Sequence, residues 1–246
     1  MHSIKTKGIV IRGTNFGEAD KILTVLTERF GKVKVMAKGI RKIKSHMAGA
    51  LEPFIISDLL LYEGKTFYLV TGAAIIYDFP KLHVDLLKTS TAFYVGELID
   101  RFLEEQQQAP EIFSLFVEVL DSIESKEKSL LISAFELKIV EHSGYKPELY
   151  ECVHCQEKIR EEKNYWDGVE GGLICEKCQR EHKHGREIEN STIKLFRFIQ
   201  KNPIEEIRRI QAKTDISLEA SDILERYIAN ILERELKSKK FLKSLK

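Results

Sequence analysis

Four cysteines in two closely spaced pairs constrain the fold more than any other feature of this 246-residue chain. Cys152 and Cys155 form the first pair, Cys175 and Cys178 form the second, and nineteen residues separate them. Each C-x2-C turn points two sulfur atoms at one centre, and two such turns complete a tetrahedron of thiolates around zinc. The spacing therefore predicts a zinc-ribbon-like insertion at about residues 150–183.

The predicted metal site is structural, not catalytic. Four thiolates fill every position of a tetrahedral zinc ion, so none remains open for a substrate. We therefore expect one Zn²⁺ per chain. Two alternatives stay open at this point: four unliganded thiols, or a redox pair. His154, His182 and His184 are possible substitutes for one of the cysteines.

The first 72 residues favour strands, because their apolar runs are rich in β-branched and aromatic residues and are separated by Gly, Asp and Asn. In one run Val33 and Val35 alternate with Lys32 and Lys34, which gives one apolar and one basic face. Gly64 is predicted to take a positive φ in a hairpin turn. Five short strands with a basic face match the OB-fold, a barrel that binds oligonucleotides, and an SH3-like barrel is the main rival. The five runs are residues 3–13, 20–30, 31–39, 53–64 and 65–72.

Beyond residue 77 the apolar residues recur at spacings of three and four, which is typical of helices. The predicted fold class is therefore α+β: a five-stranded OB-like barrel followed by a mainly helical domain that contains the four-cysteine zinc module. The change of periodicity near Pro80 divides the chain into a nucleic-acid-binding domain, 1–80, and a helical domain, 81–246. The predicted helices cover residues 84–105, 109–125, 129–144, 190–200 and 217–237.

Charge is strongly segregated, although the formal net charge of the chain is only +1. Residues 1–50 contain eleven Lys and Arg against three acids, whereas residues 85–125 contain nine acids against two bases. This asymmetry suggests a polyanion-binding end joined to an acidic body. The candidate phosphate contacts are Lys32, Lys34, Lys38, Arg41, Lys42 and Lys44.

The sequence lacks the motifs of common catalytic sites. It has no phosphate-binding G-x4-GK[ST] loop, no G-x-G-x-x-G after a strand, no H-E-x-x-H and no G-x-S-x-G. A binding protein is therefore favoured over an enzyme. Neither a secretory signal nor an apolar run of membrane-spanning length is present, and a cytoplasmic protein with no membrane partner is the simplest interpretation.

Several stretches resemble the RecO family of bacterial DNA repair proteins. They are "GIVIRGTNFGEADKILTVLTERFGKVKVMAKGIRK" at residues 8–42, "LEPF" at residues 51–54, and the paired cysteines. The resemblance covers the whole chain. It implies an OB-fold N-terminal domain, a helical C-terminal domain and a cytoplasmic, nucleoid-associated protein.

The resemblance also implies a function. A RecO-like protein would bind single- and double-stranded DNA, anneal complementary strands, and act with RecR on DNA coated by single-stranded-DNA-binding protein. Its task would be to assist the loading of RecA. Two other functions remain open: a zinc-containing RNA-binding translation or ribosome-assembly factor, and a metal-dependent nuclease.

Overall fold

The computed structural model describes residues 3–125, 130–182 and 185–245. The chain divides into two compact units, which are described separately. The first unit is Met1–Glu127 together with Lys237–Lys246, and the second unit is Lys128–Leu236. In the part of the chain covered by these three ranges, no helix is both long enough and apolar enough to cross a membrane.

A closed five-stranded barrel forms the core of the first unit, in the order β1-β2-β3-β5-β4. Neighbouring strands are antiparallel except at the closure, where β3 and β5 pair in parallel through Val35–Tyr68 and Met36–Leu69. The predicted barrel is thus confirmed. Its strands are β1 (Ser3–Phe16), β2 (Asp20–Thr27), β3 (Gly31–Ala37), β4 (Ile56–Tyr62) and β5 (Tyr68–Tyr77).

Strand β1 is long because its first half pairs with β4 and its second half pairs with β2. Gly8 lies where the two pairings overlap, opposite Thr27 and Ser57. A Cβ atom at Gly8 would lie 2.6 Å from the side chain of Leu59 and 2.9 Å from that of Val25. Glycine therefore lets β1 pass close to the barrel interior at this point.

The turn between β4 and β5 differs from the prediction. Gly64 is not among the glycines with positive φ in the described residues. A Cβ atom there would lie 2.4 Å from the carbonyl oxygen of Phe67. Glycine is thus needed because the backbone at Phe67 passes close to residue 64. This approach depends on the three-dimensional course of the turn, which a sequence pattern does not show.

Four helices complete the first unit: α1 (Pro80–Val84), α2 (Leu86–Phe102), α3 (Pro110–Ser125) and the C-terminal α9 (Lys237–Ser244). Helix α2 lies against the barrel, where a Cβ atom at Gly96 would lie 3.4 Å from the ring of Phe54 and 3.6 Å from the side chain of Ile11. Phe54 is 1% exposed and packs edge-on against Phe93 and Phe116. The barrel and helices α2 and α3 therefore share one apolar core within this unit.

The second unit combines helices with a small sheet of order β6-β8-β7-β9. Trp166 of the sheet packs edge-on against Phe196 and Tyr227 of two helices, which ties the layers together. The elements are α4 (Leu131–His142), β6 (Glu148–Cys152), β7 (Asn164–Asp167), β8 (Gly172–Cys175), α5 (Glu176–His182), β9 (Arg186–Ile188), α6 (Asn190–Lys201), α7 (Ile204–Ile207) and α8 (Thr214–Ile231).

Helix boundaries agree with the predictions at some signals and differ at others. Helix α3 begins at Pro110, one residue after the predicted start, and α6 ends at Lys201, one residue after the predicted end. Helix α8 begins at Thr214 instead of Ser217, and the Ser217 hydroxyl donates to the Lys213 carbonyl inside the first turn. The serine thus bonds back to the carbonyl four residues earlier, as serines inside helices can, instead of capping the helix start.

Candidate metal centre and nucleic-acid interface

The first cysteine pair lies on a tight turn at the end of β6. The Cys152 N–H donates to the carbonyl of Glu157 at 2.8 Å, and the Gln156 N–H donates to the carbonyl of Cys152 at 2.9 Å. Gln156 has a φ of 62°, in the left-handed region. These bonds fold the backbone around Cys155 so that its sulfur turns toward that of Cys152.

The second pair lies where a strand runs into a helix. Cys175 ends β8, and Cys178 is in the first turn of α5. Because β6 and β8 are hydrogen-bonded neighbours, with Cys152 opposite Leu173, the two turns lie side by side. Sheet pairing thus brings together cysteine pairs that nineteen residues separate in the sequence.

The four sulfur atoms all lie within 4.8 Å of one another. The Sγ atoms of Cys155 and Cys175 are 3.8 Å apart, and the Cys175 N–H points at the Cys152 sulfur at 3.5 Å. Cys152 and Cys178 are buried, while the other two thiols are half-buried. The structure therefore assembles the predicted four-cysteine cluster, which could hold a metal ion.

Burial and hydrogen bonding act in opposite directions on these thiols. Burial raises the pKa of Cys152, but N–H groups of Cys155, Cys175 and His154 outweigh it and lower the pKa to about 6. Burial raises the pKa of Cys178, and hydrogen bonds with the neighbouring thiols raise it further. Four thiolates this close together would repel one another strongly, so full ionisation requires a cation among them.

Of the three histidines that could replace a cysteine ligand, the structure describes the side chain of His154. His154 Nε2 lies 3.7 Å from Asp167 Oδ2. The His182 side chain and His184 fall outside the described residues. Among the side chains that the structure describes, the cluster of possible metal ligands consists of the four cysteines alone.

A basic loop follows β3 on the barrel; we call residues 38–46 the basic loop. Ile40 is buried in the barrel core and anchors the loop from within. The Gly39 N–H donates to Asp20 Oδ1 at 2.7 Å, and the Arg41 N–H donates to the Ala19 carbonyl at 3.0 Å. With a φ of 65° at Gly39, the loop is a series of turns held against the β1–β2 hairpin.

All four predicted cations of the basic loop are exposed: Lys38, Arg41, Lys42 and Lys44. Arg41 also donates through Nη1 to the Glu18 carbonyl at 3.0 Å, which holds its guanidinium near the hairpin. No ion pair with a carboxylate involves these four side chains within the described ranges. They present a compact positive surface with no neutralising partner.

The two predicted cations of β3 have different surroundings. Lys34 is exposed and pairs with Glu105. Lys32 is buried, and its Nζ donates to the Asp100 carbonyl at 2.6 Å and lies 3.6 Å from Asp100 Oδ1. Burial lowers the pKa of Lys32, while the attraction of Asp100 opposes that shift. Helix α2 thus covers part of the face that strand alternation predicted to be basic.

The sequence analysis did not identify one exposed residue of the basic loop. Ile43 lies between Lys42 and Lys44 and is fully exposed at the surface of the basic loop. Ile40, three residues earlier in the same loop, is buried in the barrel core. An isolated apolar residue within a basic turn was the available signal, but sequence alone does not distinguish an anchor from an exposed side chain.

Family profiles match almost the whole chain. A profile described as "Recombination protein O N terminal" matches residues 1–79, and one described as "Recombination protein O C terminal" matches residues 83–240. The chain belongs to the RecO family. The two profiles meet near the predicted division at residue 80, whereas the compact units place α1, α2 and α3 with the barrel. The division into domains 1–80 and 81–246 stays a prediction.

Curated RecO relatives are similar to this chain along most or nearly all of their length. A protein named DNA repair protein RecO from Dehalococcoides mccartyi strain 195 is 37% identical, over 99% of this chain and 96% of the relative. Proteins of the same name from Roseiflexus sp. strain RS-1 and Caldanaerobacter subterraneus are 32% and 31% identical. The alignments cover 97% and 100% of this chain and 84% and 99% of those relatives.

Proposed function

We propose that this protein is a DNA-binding recombination mediator that anneals complementary strands during DNA repair. It would act on single-stranded DNA coated by single-stranded-DNA-binding protein and, with RecR, assist the loading of RecA. Binding to duplex DNA and a cytoplasmic, nucleoid-associated location belong to the same proposal. Its support is membership of the RecO family together with the cationic loop on the barrel.

The observation that carries this proposal is the exposure of four unpaired cations on one anchored loop: Lys38, Arg41, Lys42 and Lys44. DNA is a dense array of phosphate charge, and binding it releases condensed counterions. Phosphate contacts carry little sequence information, which suits a protein that must act on any sequence. Lys34 adds a fifth exposed cation to the proposed DNA-binding surface. Lys32 is buried, and its proposed role is to bind Asp100 instead of a phosphate.

We assign the metal as zinc, with a structural role. In a zinc site with bonds of about 2.3 Å, tetrahedral geometry places the sulfur atoms a little under 4 Å apart. The 3.8 Å separation of the Cys155 and Cys175 sulfurs fits that value. The apolar surroundings, which include Ile159, Ile174 and Tyr165, are typical of a closed site. When bound, the ion would neutralise the thiolates and hold the two turns together.

The proposed DNA contact is tested by replacing Lys38, Arg41, Lys42 and Lys44 together with alanine. Each lost phosphate contact is expected to reduce the log–log salt slope for single strands by about 0.7. Annealing of coated oligonucleotides should fall in parallel, because fewer phosphate charges are neutralised. Salt-titrated fluorescence anisotropy measures the slope, and fluorescence-monitored annealing measures the activity.

Two controls make this experiment decisive. Oligonucleotides of different sequence should lose affinity equally, since phosphate contacts do not read bases. An RNA of the same length should not bind more tightly than DNA; a preference for RNA would favour a translation or ribosome-assembly factor. Unchanged affinity and unchanged slope in the quadruple variant would remove the basic loop from the proposal.

A further inference from the structure

The second unit carries a separate cationic surface on helix α6. We define the α6 surface as Tyr150, Lys194, Arg197 and Lys201. The three cations are spaced three and four residues apart, so they lie along one side of the helix. Tyr150 belongs to the neighbouring strand β6, and its side chain remains 37% exposed. A row of cations beside an exposed aromatic ring is a common composition of single-strand-binding surfaces.

Arg197 is held in place before any ligand binds. Its Nε and Nη2 atoms donate to the Leu149 carbonyl at 2.9 and 2.6 Å. Its guanidinium carbon lies 4.8 Å from the centre of the Tyr150 ring. Both contacts leave Nη1 available as a donor. A fixed guanidinium loses little conformational entropy when it binds a phosphate.

Lys201 brings a second charge to the same ring. Its ammonium lies 4.9 Å from the centre of the Tyr150 ring. Neither Lys201 nor Arg197 forms an ion pair with a carboxylate within the described ranges, whereas Lys194 pairs with Glu161 at 2.8 Å. Two positive charges are thus held near one ring without a neutralising partner, an arrangement that an anionic ligand would stabilise.

Two acids near this surface have their main partners in Lys194 and in the backbone of β6. Hydrogen bonding and attraction from Lys194 lower the pKa of Glu161, with a smaller effect from Arg197. Glu148 Oε1 accepts the N–H groups of Tyr150 and Glu151 at 2.7 and 3.1 Å, which turns its carboxylate back onto the strand. The local carboxylates therefore leave the charges of Arg197 and Lys201 largely uncompensated.

We propose that the α6 surface binds the phosphodiester backbone of single-stranded DNA as a second site, separate from the basic loop. The inference rests on the proposed DNA binding and annealing, because a protein that pairs two strands must neutralise the phosphates of both. Arg197 and Lys201 would contact phosphates, and the exposed part of Tyr150 would contact the sugar or base of the bound strand. Lys194 would take a lesser part, since Glu161 already neutralises it.

A purely structural role predicts different behaviour. Arg197 joins α6 to β6 through the Leu149 carbonyl, and cations near the C-terminal end of a helix interact favourably with its dipole. If that were the whole function, replacing Lys201 would leave DNA binding unchanged. Among the described contacts, the Lys201 ammonium makes no hydrogen bond to the protein, so its replacement tests ligand binding with little risk to the fold.

The experiment measures how many short single strands each full-length chain binds. The probe is an oligonucleotide of about eight thymidines, within the 4–16 nucleotides that single-strand-binding barrels occupy. The test variants are Lys201→Gln and the double variant Arg197→Gln/Lys201→Gln. The matched control is Lys163→Gln/Arg180→Gln, which removes two cations that pair with Glu187 and Glu176 in the same unit.

We expect two strands per wild-type chain and per control chain, but one strand per double-variant chain. The salt slope of the second binding event should fall by about 0.7 for Lys201→Gln and by twice that for the double variant, if each contact releases its share of counterions. Annealing should fall while the first binding event is unchanged.

The two proposals fail in different ways. If the quadruple basic-loop variant binds normally while the Arg197→Gln/Lys201→Gln variant loses a strand, the barrel assignment fails and the α6 site stands. If Lys201→Gln and the double variant both bind two strands with wild-type slopes, the α6 site is overturned and the basic loop is unaffected. A wild-type chain that binds a single strand, with an unchanged slope in Lys201→Gln, overturns the α6 site as well.

Discussion

The barrel and the cysteine sheet are both small β-structures, but different interactions hold them together. The barrel encloses a cluster of eleven buried residues, among them Val25, Val35 and Leu59. The cluster around the cysteines contains three buried residues, Cys152, Ile174 and Cys178, two of which are candidate metal ligands. Apolar side chains fill the barrel interior, whereas thiols make up most of the buried cluster around the cysteines.

Strand pairing shows the same difference. In the barrel, β2 and β3 pair over seven successive residue pairs from Lys21–Ala37 to Thr27–Gly31. In the cysteine sheet, β6 and β8 pair only at Glu148–Gly172 and Cys152–Leu173. Long ladders and a filled interior give a closed barrel its stability. A small sheet with short ladders needs a cross-link, which here is the proposed zinc ion.

The largest predicted effect is loss of the metal. Cys175→Ser should abolish zinc retention and destabilise the second unit severely, because structural zinc binding contributes about 10–16 kcal/mol in small peptides. DNA binding through the basic loop should persist in weakened form, since the ligands lie in the other unit. Elemental analysis and limited proteolysis measure the two effects.

Chelation of the wild-type protein provides the independent check on that prediction. Removal of metal should expose the second unit to protease while the barrel remains protected. Protein purified without chelators that contains no zinc, or a Cys175→Ser protein as protease-resistant as wild type, would show that both β-structures are held by apolar packing alone.

The next largest effect lies in the barrel core. Leu59→Ala should lower the free energy of unfolding of the first unit by about 2–5 kcal/mol, because it leaves a cavity among buried side chains. Leu60→Ala, at the neighbouring and 41% exposed position of the same strand, is the matched control and should change it little. Chemical denaturation measures both, and chelation should not alter the difference between them.

A smaller effect is predicted for Ile43. Ile43→Ala removes an exposed apolar group from the basic loop without removing charge, so affinity for single strands should fall by a few-fold while the salt slope stays constant. Val84→Ala, at another highly exposed position of the first unit, is the control. Anisotropy at several salt concentrations separates the two quantities; a changed slope would show that Ile43 acts by positioning the cations.

The smallest effect distinguishes the buried cation of β3 from its exposed neighbour. Because burial lowers the folded-state pKa of Lys32 below 10.5, its charge disfavours the folded state at neutral pH. The free energy of unfolding of the wild type should therefore increase as pH rises from the folded-state pKa of Lys32 toward 10.5. In that range Lys32 has lost its proton in the folded chain but keeps it in the unfolded chain. Lys32→Met should remove this gain and leave DNA affinity unchanged.

Lys34→Met is the matched comparison for that experiment. Lys34 is exposed and paired with Glu105, so its replacement removes a cation from the same strand without removing a buried charge. Denaturation across the alkaline range measures both variants. Loss of DNA affinity in Lys32→Met would return Lys32 to the phosphate-binding surface.

Local patterns predicted the barrel and the cysteine cluster well, because both depend on spacing. Alternation in β3 and glycine punctuation indicated the strands, and the paired C-x2-C turns indicated the ligands. The same alternation placed Lys32 on an exposed basic face, whereas helix α2 covers it through Asp100. Burial of a strand residue by a helix distant in sequence does not change the alternation of apolar and polar residues within the strand.

The sequence by itself determined which residues carry charge and thiol groups, and which of them recur at strand, helix or metal-ligand spacing. Tertiary structure decided their accessibility and their partners. It buried Lys32 and Ile40, exposed Ile43, and set Arg197 and Lys201 against the ring of Tyr150. Periodicity reports contacts a few residues apart, but Tyr150 and Arg197 meet only because a strand and a helix forty-seven positions apart pack together.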